Sequence, residues 1–130
     1  MFVSATRLRL RSIRFLLPFA YRASQLRKQA RASPGCLGAQ TRKTRGLAFW
    51  TLTLWDSEQS MRSFVGRSPH REVMPKLSHW CDEAVVAHWN QEALPQPTWQ
   101  LATERILNIG RLLRLSLPSE AHRNGRIDVS

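Results

Sequence analysis

Four histidines, His70, His79, His88 and His122, are the side chains best suited to acid–base chemistry near neutral pH. His70 has the most useful placement. It follows Ser68-Pro69, a pair that opens a helix with proline in its first turn, and apolar Phe64 and Met74 lie to either side of it in the chain. It is the candidate catalytic residue, as acid, base or axial ligand, with plain structural packing as the competing role. His79 adjoins Trp80 and faces outward if Trp80 faces in. His88 takes the opposite strand face from Trp89, and His122 lies in a polar tail. Asp56 and Glu58 stand at a helix start, where carboxylates cap amides and offset the dipole rather than form a catalytic dyad. Cys36 and Cys81 do not make a disulfide framework and fit buried thiols in a reducing, cytoplasmic setting. No metal-ligand cluster, nucleophile elbow or phosphate loop is present in the sequence, so no metal is expected.

The elements that must position these residues are organised around Leu47-Ala48-Phe49-Trp50-Thr51-Leu52-Thr53-Leu54-Trp55, a run without charge, Gly or Pro. Its aromatic and threonine content predicts a strand, and apolar residues on both faces predict cover on both sides. Asp56 as cap and Gln59 at the reciprocal position start a helix carrying Met61, Phe64 and Val65 inward, stopped by Gly66. Upstream, Phe2 to Arg11 alternates as a strand whose arginines emerge at one end. Pro18 opens a helix with Phe19, Ala23, Leu26 and Ala30 on one face, ended by Ser33-Pro34-Gly35. Gly35 to Thr41 is a second strand, where glycines allow close approach. Downstream, Val73, Leu77, Trp80 and Cys81 form an inward stripe of a helix that Pro75 should bend or interrupt. Asp82 to Asn90 is a further strand. Pro95 and Pro97 mark a linker, Thr98 caps a helix over 98–109, and Leu112 to Leu117 alternates as a short strand before a loose tail. The expected organisation is a domain over 1–92 and a C-terminal extension over 93–130.

The order strand, helix, strand, strand, helix pair, strand is the split βαβ pattern of a ferredoxin-like α+β fold with an antiparallel sheet. One sheet face is then left apolar, and a partner sheet is its simplest cover, which predicts a homodimer. A chain of 130 residues can build such a core unaided. The net charge of +11 is lopsided: eleven of the 20 Lys and Arg precede Asp56, the first acidic residue, and the remainder of the chain balances. Basic asymmetry suggests nucleic acid, an anionic partner or a targeting segment. The chain carries no nucleic-acid motif, so no nucleic-acid partner is expected. The strand character of residues 2–10 argues against a transit peptide. No apolar run is long enough to span a membrane.

Trp50-Thr51-Leu52-Thr53-Leu54-Trp55-Asp56-Ser57-Glu58, followed by Met61, Phe64, Ser68-Pro69-His70 and Met74, resembles the antibiotic-biosynthesis-monooxygenase superfamily, and more narrowly the relatives of spheroidene monooxygenase. Phe2 to Leu8 and Trp80-Cys81-Asp82-Glu83 extend the resemblance over residues 2–90. It implies a dimeric α+β barrel with a pocket between sheet and helices, in a superfamily that includes cofactor-free monooxygenases and haem proteins. Trp50, Trp55, Phe64, Met74 and Trp80 are the candidate ligand-binding residues, suited to a flat apolar ligand, and core packing is the alternative role. The function implied is a monooxygenase-like oxidoreductase acting on an apolar polycyclic, quinol or isoprenoid compound without a cofactor. The alternative is a non-enzymatic dimeric binding module for an apolar or haem-like ligand. Haem would need the slot of Trp55, Phe64 and Trp80, an axial His70, with Met74 one turn later as second ligand or packing residue, and Arg67 or Arg71 for its propionates. Haem-degrading relatives use a helix Trp and a His ten residues later. Phe64 and Met74 stand in those places here, which argues against that chemistry.

Overall fold

Phe2–Leu10 forms strand β1 at the centre of the sheet, with β3 (Ala48–Trp55) on one side and β4 (Cys81–Asn90) on the other, both antiparallel to it. The computed structural model describes residues 1–92 and 95–127. β2 (Cys36–Lys43) pairs with the outer edge of β3, and the two-residue β5 (Arg111–Leu112) pairs with β4, giving the order β2-β3-β1-β4-β5. The fold is ferredoxin-like α+β, as the split βαβ order predicts.

The helices α1 (Leu16–Ala32), α2 (Glu58–Val65) and α3 (His70–Trp80) lie over one face, where Phe19, Val73 and Leu77 meet Leu8, Leu10 and Ala84. Ser57, not Asp56, caps α2: its hydroxyl accepts from the Ser60 amide at 3.2 Å, while Asp56 accepts from the Ser60 hydroxyl at 2.6 Å. The strand therefore runs out one residue before the cap, and Asp56 serves the turn. Pro75 sits inside α3 without ending it. Gly35, at φ +85°, closes the α1–β2 turn against Asp56 and Ser60, where any Cβ would collide.

The second face is covered from within the chain. α4 (Trp99–Ile109), capped by Thr98, buries Ala102 and Ile106 among Val3, Ala5, Leu52, Leu54, Val85 and Ala87. Arg42 lies between Trp50 and Trp99, 5.1 and 5.0 Å from their ring centroids, and ties α4 to the β2–β3 hairpin. The expectation of a bare face awaiting a second sheet thus loses its physical basis, because the extension supplies the cover. The strand expected over 112–117 shortens to β5, after which Leu113 and Leu115 turn to the helical side of the sheet. The tail expected to be loose includes α5 (Glu120–Arg123), capped by Ser119, with His122 buried. The boundary placed at residue 93 and the last residues, 128–130, lie outside the described residues.

Arginine placement departs from expectation in one respect. Arg7 does not emerge at a strand end but is buried, its guanidinium 2.7 Å from the buried Glu83 carboxylate. Arg9 reaches the other Glu83 oxygen at 3.2 Å and Asp82 at 2.9 Å, and the Ser119 hydroxyl donates to Glu83 at 3.1 Å. This network joins β1, β4 and the C-terminal segment.

Candidate functional site

Between the sheet and the α1–α3 layer lies a cleft of about 900 Å³. Its floor follows from strand register. Thr41, Thr51 and Thr6 stand in one cross-strand row, and Ala39, Thr53, Ser4 and His88 in the next. Alternation puts all of them on the same face, so the floor is a patch of hydroxyls flanked by an imidazole. Its roof is apolar: Phe19, Ala23 and Leu26 come from α1, Met61 and Phe64 from α2, and Val73, Met74 and Leu77 from α3. Ile109, the last residue of α4, and Leu113 and Leu115, which follow it around the sheet edge, close one side.

His70 is the first residue of α3 and lines this cleft. Its backbone amide donates to the Gln29 side chain at 2.9 Å, and that amide group in turn donates to the carbonyls of Phe64 and Arg67. One α1 side chain therefore fixes the α2–α3 connection and the start of α3. The ring meets Phe64 edge-on at 4.8 Å, and Phe64 stacks on Trp55 at 5.2 Å. Trp55 faces Phe2 across the β1–β3 ladder, and Phe2 packs on His88 at 5.4 Å. Two ring contacts linked by one cross-strand pair thus run behind the cleft from one of its histidines to the other. Burial holds the His70 pKa below the usual histidine value, opposed to a smaller extent by the backbone of Val65 and of His70 itself. The imidazole is consequently neutral at pH 7. Its Nδ1 is buried with no hydrogen-bond partner among the described residues. His88 is also shifted down, first by burial and then by Arg111, with Glu58 raising it and Arg62 lowering it.

Of the residues singled out from the sequence, His70, Phe64 and Met74 line the cleft. Trp50, Trp55 and Trp80 do not. Trp50 belongs to the α4-covered face, its indole donating to Thr44 at 2.9 Å. Trp55 is fully buried behind Phe64, and Trp80 stacks on Phe15 at 6.2 Å outside the cleft. Sequence reasoning missed His88 and the hydroxyl floor. The alternation of Ser4 with Thr6 and of Thr51 with Thr53 carried that signal, but only register shows that the four converge. Cys81 is buried, its thiol pushed up to about 12 by burial and by Asp82, so it is not a nucleophile.

The haem set does not assemble. Arg67 lines a separate polar depression of about 210 Å³, Arg71 is exposed away from the cleft, and two of the three slot aromatics are absent from its wall. Only Phe64, His70 and Met74 of that set face the cleft. Among the described residues no group of His, Cys, Asp and Glu could hold a metal ion, and no helix is long and apolar enough to cross a membrane.

A family model described as a domain of unknown function, DUF3291, matches residues 15–112, from the start of α1 through β5. No curated protein matches. Solved structures place the fold. An antibiotic biosynthesis monooxygenase is similar with TM-score 0.64 at 10% identity, over 71% of this chain and 99% of that one. A variant of SnoaB, a cofactor-independent oxygenase from Streptomyces nogalater, is similar with TM-score 0.61 at 10% identity, over 73% and 97%. A conserved protein from Methanosarcina mazei Go1 reaches TM-score 0.64 at 15% identity, over 70% and 92%.

Proposed function

Because the chain belongs to the DUF3291 family, whose description leaves the function open, we propose its function from the cleft: a cofactor-free, monooxygenase-like oxidation of an apolar polycyclic, quinol or isoprenoid compound. The observation that carries this is His70, a neutral imidazole on the wall of a cleft with an apolar roof and a hydroxyl floor. The oxygenase activity named for the SnoaB neighbour supports it by analogy of fold.

In the proposed reaction a substrate with an acidic C–H beside a conjugated carbonyl or phenol gives that proton to His70. The resulting carbanion passes one electron to dioxygen, and the radical pair combines to a peroxide. Loss of water leaves a carbonyl, so that R₂CH₂ and O₂ become R₂CO and H₂O. The Ser4, Thr6, Thr51 and Thr53 hydroxyls donate to the developing oxyanion. A homodimer belongs to the proposal with its interface moved. α4 occupies the sheet face, and the exposed Ile13, Leu17 and Tyr21 offer an apolar surface for a second copy. A cytoplasmic location is supported by two free thiols, Cys36 and Cys81.

The test is oxygen uptake by purified protein with an anthrone, a hydroquinone and a carotenoid. Saturable uptake that falls about 10²-fold in His70→Gln is expected, the usual contribution of a general base. Saturable binding of these compounds without uptake would replace this function with that of a non-enzymatic binding module.

A further inference from the structure

The cleft has a charge pattern that an apolar substrate alone does not explain. Five arginines line it, Arg22, Arg27, Arg62, Arg111 and Arg114, and none of its described lining residues is Asp or Glu. Arg62 is neutralised by Glu58 at 2.7 Å. Arg22 and Arg27 spend their hydrogen bonds on neutral partners, Gln25 at 3.2 Å and Thr41 at 3.4 Å. Among the described residues, no carboxylate lies within ion-pair distance of Arg22, Arg27, Arg111 or Arg114. The contrast with Arg7 and Arg9, whose carboxylates are 2.7 to 3.2 Å away, shows that the chain supplies acids where charge must be matched internally. Leaving aside Arg62 on α2, the cleft arginines come from two parts of the chain that flank an apolar interior: α1 on one side, and the segment after α4 on the other. A guanidinium at the edge of an apolar cleft recognises an anionic oxygen group through charge-assisted, bidentate hydrogen bonds.

From this juxtaposition we infer that the cleft takes an acidic amphipath: a flat apolar body under α1 and α3, bearing a carboxylate, sulfonate or comparable anionic group held at the arginine rim. This rests on the cleft being the ligand site proposed above and narrows its ligand class. The anionic group stays outside the apolar roof, so the oxidisable carbon can lie beneath His70 while the charge remains among the cations.

Two probes with one aromatic skeleton test it: 1-anilinonaphthalene-8-sulfonate, which is anionic, and N-phenyl-1-naphthylamine, which lacks the sulfonate. Fluorescence titration of the full chain at low salt should show the sulfonate bound about tenfold or more tightly than the neutral probe, the equivalent of one charge-assisted hydrogen bond. The two should compete for one site. In Arg111→Gln/Arg114→Gln the preference should collapse toward equality while the neutral probe binds unchanged, which also shows that the variant is folded. Lys43→Gln/Arg45→Gln, at the β2–β3 hairpin and outside the cleft, should keep the preference. Equal binding of both probes overturns the inference and leaves the cleft as a ligand site. So does a loss of preference as large in the hairpin variant as in the cleft variant. Failure of both probes to bind removes the cleft site and the inference together.

Discussion

The most quantitative consequence of this structure comes from two ion pairs of equal length and opposite burial. Arg7–Glu83 and Arg62–Glu58 each have an N–O distance of 2.7 Å, but the first pair is 3% and 0% exposed and the second 72% and 50%. At 2.7 Å and an effective dielectric of about 20, the Coulomb attraction is about 6 kcal/mol, before the desolvation that offsets most of it. Glu83→Gln removes the carboxylate yet leaves the Arg7 guanidinium buried, a change that costs about 3–5 kcal/mol. Glu58→Gln breaks a solvated i,i+4 pair and costs about 0.5 kcal/mol or less. For a domain of this size, about 3–5 °C of melting temperature accompanies each kcal/mol, so Glu83→Gln should melt about 10–20 °C lower. Calorimetry and urea titration of both variants measure the difference directly. The double replacement Arg7→Met/Glu83→Leu should recover most of the loss, because a packed apolar pair needs no counter-charge. Comparable costs for Glu83→Gln and Glu58→Gln would refute the reasoning, as would a double variant no more stable than Glu83→Gln.

Two further outcomes are expected. His70 is buried neutral with a folded pKa below the unfolded value of about 6.5, so unfolding takes up a proton in the window between them. Stability should therefore fall as pH drops through about 6.5, by at most about 1.4 kcal/mol per pH unit for one such group, and level off below the folded pKa. His70→Gln should flatten that segment of urea midpoints between pH 7.5 and 5.5; an unchanged slope would mean that other groups carry it, His88 first among them. In sedimentation, the full chain should run near twice 15.0 kDa at micromolar concentration and return to the single mass in Leu17→Arg. A version lacking 98–127, stripped of α4, should associate further. A dimer indifferent to Leu17→Arg would place the interface elsewhere.

Most of the fold was legible because its signals are local. Thr98 as a cap, Gly66 as a stop and the apolar spacing of Phe19, Ala23, Leu26 and Ala30 need only a few neighbouring residues to be read. The covered second face was harder. The two-sided apolarity of residues 47–55 correctly demanded cover on both sides, but nothing in that stretch distinguishes a partner's sheet from the chain's own α4. The answer lies in Ala102 and Ile106, some fifty residues away. The site divides in the same way. His70, Phe64 and Met74, which line the cleft, could be grouped from sequence because they lie close together around one helix start. Ser4, Thr6, Thr51, Thr53 and His88 come from three strands, and only β-ladder register brings them together. Trp50 and Trp55, grouped from sequence as one ligand set, are five apart on a strand and point to opposite faces, which a list of large side chains does not record.

The order in which the chain is synthesised gives α4 a significance beyond its packing. Every strand pairing of the four long strands is available once residue 90 has emerged from the ribosome, so the sheet can form while α4 is still inside it. Until then Trp50, Leu52, Leu54 and Trp89 present a broad greasy surface on the emerging polypeptide, beside an uncapped β4 edge. That interval is when chaperone capture or clumping with a neighbouring nascent chain is most favoured. A premature stop in the 91–98 stretch would leave that surface bare, whereas one just after residue 110 would leave α4 in place to cover it.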